Sequence, residues 1–172
     1  FLVRMALAKN PGMDELFVYN KVHPEEGYSE WDMTKLVTTP YEADMLRYAF
    51  LSSHSLNKQE IGLDKRLLQG GRKLVYLVGN LKKAFGNAEI GADADVGEQY
   101  KCRMTSFRFN LVLAGLEAEL RNLSRKINQS KISGGWDSEK NDLQLEFIRL
   151  ASMLNPMLPA ITSSQGEISG TH

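Results

Sequence analysis

Residues 58–85 read KQEIGLDKRLLQGGRKLVYLVGNLKKAF, and the spacing of their apolar residues decides the fold class. At about 100° per residue, Leu63, Leu67, Gly70, Leu74, Leu77, Val78, Leu81 and Phe85 fall on one stripe, which is the pattern of an amphipathic helix. Asn57, three residues before Glu60, supplies a capping pattern at its start. Gly70-Gly71 runs against helix propensity, since each glycine costs up to about 1 kcal/mol relative to alanine. Because Gly70 lies on the apolar stripe, the pair is read as a place where a second backbone comes close.

Outward from this segment, helical periodicity continues in both directions. Thr39-Pro40-Tyr41-Glu42 combines an N-cap threonine, a proline at the first helical position and a glutamate placed to return the capping bond. It opens a helix over about 39–55 with Tyr41, Met45, Tyr48 and Ala49 on one face. A third helix is expected over about 98–129, with Phe109, Val112, Leu113, Leu116, Leu120, Leu123 and Ile127 on one side. Its first half carries a second apolar stripe, Phe107, Leu111, Ala114 and Ala118, so it is expected to be surrounded by other helices or by another subunit. Gly134-Gly135 ends that segment, Asp137 or Ser138 caps a fourth helix over about 138–155, and Pro156 stops it. Leu16 to Val22 is the one strand-like run, with no evident partner.

The expected fold is therefore all-α, a bundle of about four main helices. The helical domain spans 39–158, preceded by an irregular arm, 1–38, and followed by a polar, flexible tail, 159–172. A chain of 172 residues is long enough to bury a core of its own. No apolar run reaches the ~18 residues needed to cross a bilayer, and a single cysteine, Cys102, is the usual pattern of a reducing compartment. A cytoplasmic protein without a membrane partner is expected.

The formal charge is zero, from 21 Lys and Arg against 21 Asp and Glu, but the charges are sorted by segment. Residues 58–83 hold seven bases and two acids, and residues 99–131 again hold seven and two. Such sorting points to charged surfaces that face something. In the second helix Lys65, Arg72 and Lys83 fall within about 20° of one another, opposite the apolar stripe, with Gln69 and Tyr76 beside them and Arg66 and Lys73 in a second row. Cations along one helix with neutral hydrogen bonders between them suit a phosphate backbone, because each neutralised phosphate releases counterions. Amphipathic stems covering a solvated face would give the same pattern. Arg121, Arg125 and Lys126 form a second cluster, part of which has a local cause: Glu117 precedes Arg121 by four residues, and cations suit the last turns of a helix.

Motifs that would carry catalysis or a cofactor are not found. His23, His54 and His172 lack metal-ligand spacing, so neither a metal nor a catalytic set is assigned. Asp93 to Glu98 begins like a calcium loop, but the twelfth position is Met104 where a glutamate is needed. Gly70-Gly71-Arg72-Lys73 lacks the remaining residues of a phosphate-binding loop. Trp31 and Trp136, expected in loops, join Phe107 and Leu111 as candidate interface residues. Three function classes follow. One is an assembly subunit that associates with copies of itself and binds nucleic acid through Lys65, Arg66, Arg72, Lys73, Lys83, Arg121, Arg125 and Lys126, as coat or nucleoprotein subunits do. Another is a scaffold module whose basic rows meet acidic protein surfaces. The third is an enzyme without a readable motif.

Overall fold

The structure, a computed structural model, describes residues 21–24, 39–53, 60–63, 65–86, 97–106 and 108–163, with the backbone alone at 21–24, 60–63, 65 and 67. Among them are six helices, α1 (Pro40–Ser53), α2 (Lys65–Phe85), α3 (Glu98–Thr105), α4 (Phe109–Ser133), α5 (Trp136–Leu154) and α6 (Pro159–Thr162). Two four-residue strands, β1 (Lys21–Pro24) and β2 (Glu60–Leu63), pair in parallel from Lys21 opposite Glu60 to Pro24 opposite Leu63. The architecture is an all-α bundle with this short clip at its side.

The core is built from the apolar stripes that periodicity identifies. Leu74, Val78 and Leu81 of α2 meet Leu113, Leu116 and Leu120 of α4 and Phe147, Leu150 and Leu154 of α5, all buried. Phe85 lies between two rings, with centroids 5.8 Å from Trp136 and 5.6 Å from Phe147. Trp136 is thus the first residue of α5, set against the core, and not a loop residue. The capping box of α1 forms as its sequence requires: the Glu42 amide donates to Thr39 Oγ1 at 3.2 Å, and the Thr39 amide donates to Glu42 Oε2 at 2.9 Å.

Gly70-Gly71 is the crossing point of α1 and α2. A Cβ at Gly71 would sit 2.8 Å from the Met45 carbonyl oxygen, and one at Gly70 would sit 3.0 Å from the Tyr48 ring. Gly71 lets the two backbones touch, as the pair's reading as a close approach expects, while Gly70 on the stripe makes room for the Tyr48 ring. At the other end of the core, Gly134 closes α4 in the left-handed conformation at φ 77°, which an L side chain adopts only with strain.

Three boundaries differ from the periodicity. The second helix begins at Lys65 and not at 58, because Glu60–Leu63 pairs with β1. Ile61 and Gly62 are poor helix formers there, and the ladder satisfies their backbone groups instead. The same pairing gives order to Lys21–Pro24 within the arm expected to be irregular. The helix expected over 98–129 is two helices, α3 ending at Thr105 and α4 beginning at Phe109. Thr105 Oγ1 donates back to the carbonyls of Lys101 at 3.0 Å and Cys102 at 3.1 Å, a contact that bends helices. The break lets Tyr100 of α3 donate its hydroxyl proton to the Met153 carbonyl of α5 at 2.5 Å, while Phe109 and Val112 keep their side of α4 on the core. Finally, the tail boundary expected at 159 falls inside the packed structure, since Ile161 and Thr162 of α6 are buried.

Candidate functional site

The outer face of α2 is the best-formed charged surface among the described residues. Gln69, Arg72, Lys73, Tyr76, Asn80 and Lys83 are exposed, while Leu74, Val75, Val78, Leu81 and Phe85 on the opposite side are buried. The division follows from the spacing, since burying the stripe leaves the cations on the far side. No Asp or Glu occurs in α2. The side chains of Arg72, Lys73 and Lys83 make no ion pair among the described residues. Arg66 is exposed on the adjoining side. Lys65 is the first residue of α2, and its side chain lies outside the described set. Lys82 is used differently: its ammonium donates to the Ser163 carbonyl at 2.6 Å, and burial holds its pKa below the ordinary lysine value.

The basic end of α4 is largely spent on its own neighbours. Arg121 pairs with Glu117 one turn earlier. Lys126 reaches Glu146 of α5 at 2.8 Å, and beside it Arg149 of α5 reaches Glu119 of α4 at 2.9 Å. Lys131 lies over the Trp136 ring, 4.8 Å from its centroid. Arg125 is exposed and makes no ion pair among the described residues. Glu117 also accepts the Tyr48 hydroxyl proton at 2.9 Å, and burial with the nearby carboxylate pushes the Tyr48 pKa up to about 12. Arg121 is therefore one end of a chain of contacts that ties α1 to α4.

Of the candidate interface residues, Trp31 and Phe107 lie outside the described residues. Leu111 is 44% exposed, and Ala114 and Ala118, which continue its stripe, are exposed as well. The second stripe of α4 is therefore not covered by the other described helices.

Asp44 is the ionisable residue that reading for surface charge passes over. It is 1% exposed, with Oδ2 accepting from the Ile161 amide at 2.9 Å and Oδ1 accepting from Arg47 Nη1 at 2.5 Å. Its carboxylate caps the N-terminus of α6 from across the molecule, at a helix that provides no side-chain cap of its own. Burial raises its pKa, and the Ile161 and Arg47 hydrogen bonds offset part of that rise. The available signal was its position within the face of Tyr41, Met45 and Tyr48. These partners are structural, and they hold the C-terminal segment against α1.

Among the described residues, no three His, Cys, Asp or Glu side chains come together as a metal site, and no helix is long and apolar enough to cross a membrane. No protein-family model, curated protein or solved structure matches the chain.

Proposed function

We propose that the chain is a non-enzymatic assembly subunit that binds nucleic acid through the outer face of α2 and associates with copies of itself. One observation carries the reading: Arg72, Lys73 and Lys83 stand on a helix without acids and are left without ion-pair partners among the described residues, whereas Arg121 and Lys126 are neutralised within the chain. Unpaired cations in a row gain most from a polyanion, because each phosphate they neutralise releases counterions. The exposed stripe of Leu111, Ala114 and Ala118 supports the self-association half, as an apolar side that another copy would cover. A cytoplasmic location belongs to the same proposal, since the lone Cys102 is exposed and suits a reducing compartment.

The test is the salt dependence of binding. Mixed-sequence RNA or DNA should bind at low salt and weaken steeply as salt rises. Substituting Arg72, Lys73 and Lys83 together with Gln should flatten the slope of log K against log salt by roughly two to three. Failure to bind either polymer at low salt would overturn the reading. A second reading, a scaffold whose basic face meets an acidic one on another copy, is favoured by Asp137, Glu139 and Asp142, which are exposed at the start of α5. Self-association of nucleic-acid-free protein that dissolves in high salt would select it.

A further inference from the structure

Tyr76 does not fit a purely electrostatic surface. It is 51% exposed, and its ring lies about opposite the centre of the apolar stripe of α2, so it contributes nothing to the core. Its neighbours on that face are Gln69, Arg72, Lys73, Asn80 and Lys83. Its hydroxyl makes no hydrogen bond among the described residues. Arg72 lies one turn before it, ~6 Å along the axis, and Lys83 two turns after it, ~10 Å along the axis. A half-exposed aromatic side chain therefore stands in the middle of a run of cations.

We propose that Tyr76 is a base-stacking platform and that the ligand of the α2 face is single-stranded nucleic acid, an inference that rests on the reading of this face as a phosphate-binding surface. In a duplex the base faces are already stacked on one another and only edges and backbone are offered, so a ring standing on a helix face has nothing to stack against. A single strand can turn one base onto the ring while its phosphates run past Arg72 and Lys73 on one side and Lys83 on the other. The guanidinium of Arg72 can add its own plane to the stack. Gln69 and Asn80 supply neutral hydrogen bonders, which hold a base or sugar without demanding one sequence. The site would be tolerant of sequence, since every base has a face to stack.

The experiment compares three probes at one salt concentration: a labelled mixed-sequence single strand, the corresponding duplex, and the same single strand carrying abasic sites. The wild-type chain should prefer the single strand. Tyr76→Ala should weaken single-strand binding about tenfold or more while leaving the salt slope unchanged, and Tyr76→Phe should bind like wild type. Abasic sites should weaken binding to wild type by a similar factor and add nothing to the loss in Tyr76→Ala. Equal affinity of Tyr76→Ala and wild type, or preference for the duplex, would overturn the stacking role and leave the phosphate-binding reading standing. Binding of no probe at low salt would overturn that reading and this inference with it.

Discussion

The outer face of α2 and the basic end of α4 come from segments of equal charge, yet the fold treats them in opposite ways. On α4 Arg121 and Lys126 find carboxylates, Glu117 within the helix and Glu146 across on α5, and Lys131 lies over the Trp136 ring, while Arg125 makes no ion pair among the described residues. On α2 no acid lies within the helix, and the neighbouring helices bring none to Arg72, Lys73 or Lys83 among the described residues. Charge density along a sequence therefore says little about availability. What matters is whether a counter-charge lies one turn away or on the facing helix, because a paired cation has little to gain from a phosphate. Asp44 marks the extreme of the same scale: a carboxylate that is itself buried, whose partners are the Ile161 amide and the half-exposed Arg47 guanidinium, so that losing it leaves a buried amide unpaired.

The largest effect is expected at Asp44. Asp44→Ala leaves the Ile161 amide without its acceptor and removes the cap of α6, which should cost about 2 kcal/mol, partly offset because a costly buried charge goes too. For a chain of this size the loss should lower Tm by roughly 4 to 8 °C. Asp44→Asn keeps a carbonyl acceptor and should lose less. The pH dependence separates burial from pairing. Burial raises the Asp44 pKa above its ordinary 3.8, so its favourable contribution is fully present below that value and is lost as pH rises through the folded value. As pH rises above the ordinary 3.8, wild type should therefore lose ground to Asp44→Asn in urea denaturation. A gap that moves the other way would mean that the Arg47 and Ile161 contacts outweigh burial.

How much of this could be read in advance depends on how far each cause lies along the chain. The α2 stripe, the Thr39 capping box, the Gly70 crossing and the Glu117–Arg121 pair are all set by residues within a few positions of one another, or by a periodicity that survives packing. The pairing of Glu60–Leu63 is not, because its partner Lys21–Pro24 lies far upstream, while Asn57 and Glu60 imitate a local cap. The break after Thr105 is hidden for another reason: the apolar spacing continues through it, and a hydroxyl bonded back into the helix leaves no mark in that spacing. On α4, the pairing of Lys126 to Glu146 crosses 20 residues and that of Arg149 to Glu119 crosses 30, so a window along one helix sees unbalanced cations where the folded chain has balanced ones. The C-terminal segment misled through composition. Its Ser, Gly and Thr content suggests a free tail, but Ile161 is enough to bury its start once Asp44 is there to receive the amide.

A smaller effect would convert one region into the other. Glu117→Gln and Glu146→Gln together release Arg121 and Lys126 without adding a cation. Each exposed or half-exposed pair is worth about 0.3 to 1 kcal/mol, so the double variant should lose about 0.6 to 2 kcal/mol of stability in a denaturant titration. It should also gain affinity for a polyanion, with a salt slope steeper by up to about two. Unchanged binding would mean that the α4 cations face away from the ligand whether paired or free.

The smallest expected effect bears most directly on α2. Replacing Arg72, Lys73 and Lys83 with Gln should change stability by no more than about 0.5 kcal/mol, because their head groups make no ion pair among the described residues. Neutralisation also relieves repulsion on a helix that holds six bases and no acid, so the variant should be less stabilised by added salt than wild type. Chemical denaturation at low and high salt measures both terms. A loss above about 1 kcal/mol would show that the stems of these side chains cover apolar surface, as long cationic side chains can, and would make the row a structural feature of the bundle. Near-zero cost to folding together with a large loss of polyanion binding is a pattern that a structural role does not produce. The comparison between α2 and α4 therefore rests on measuring stability and binding in the same variant.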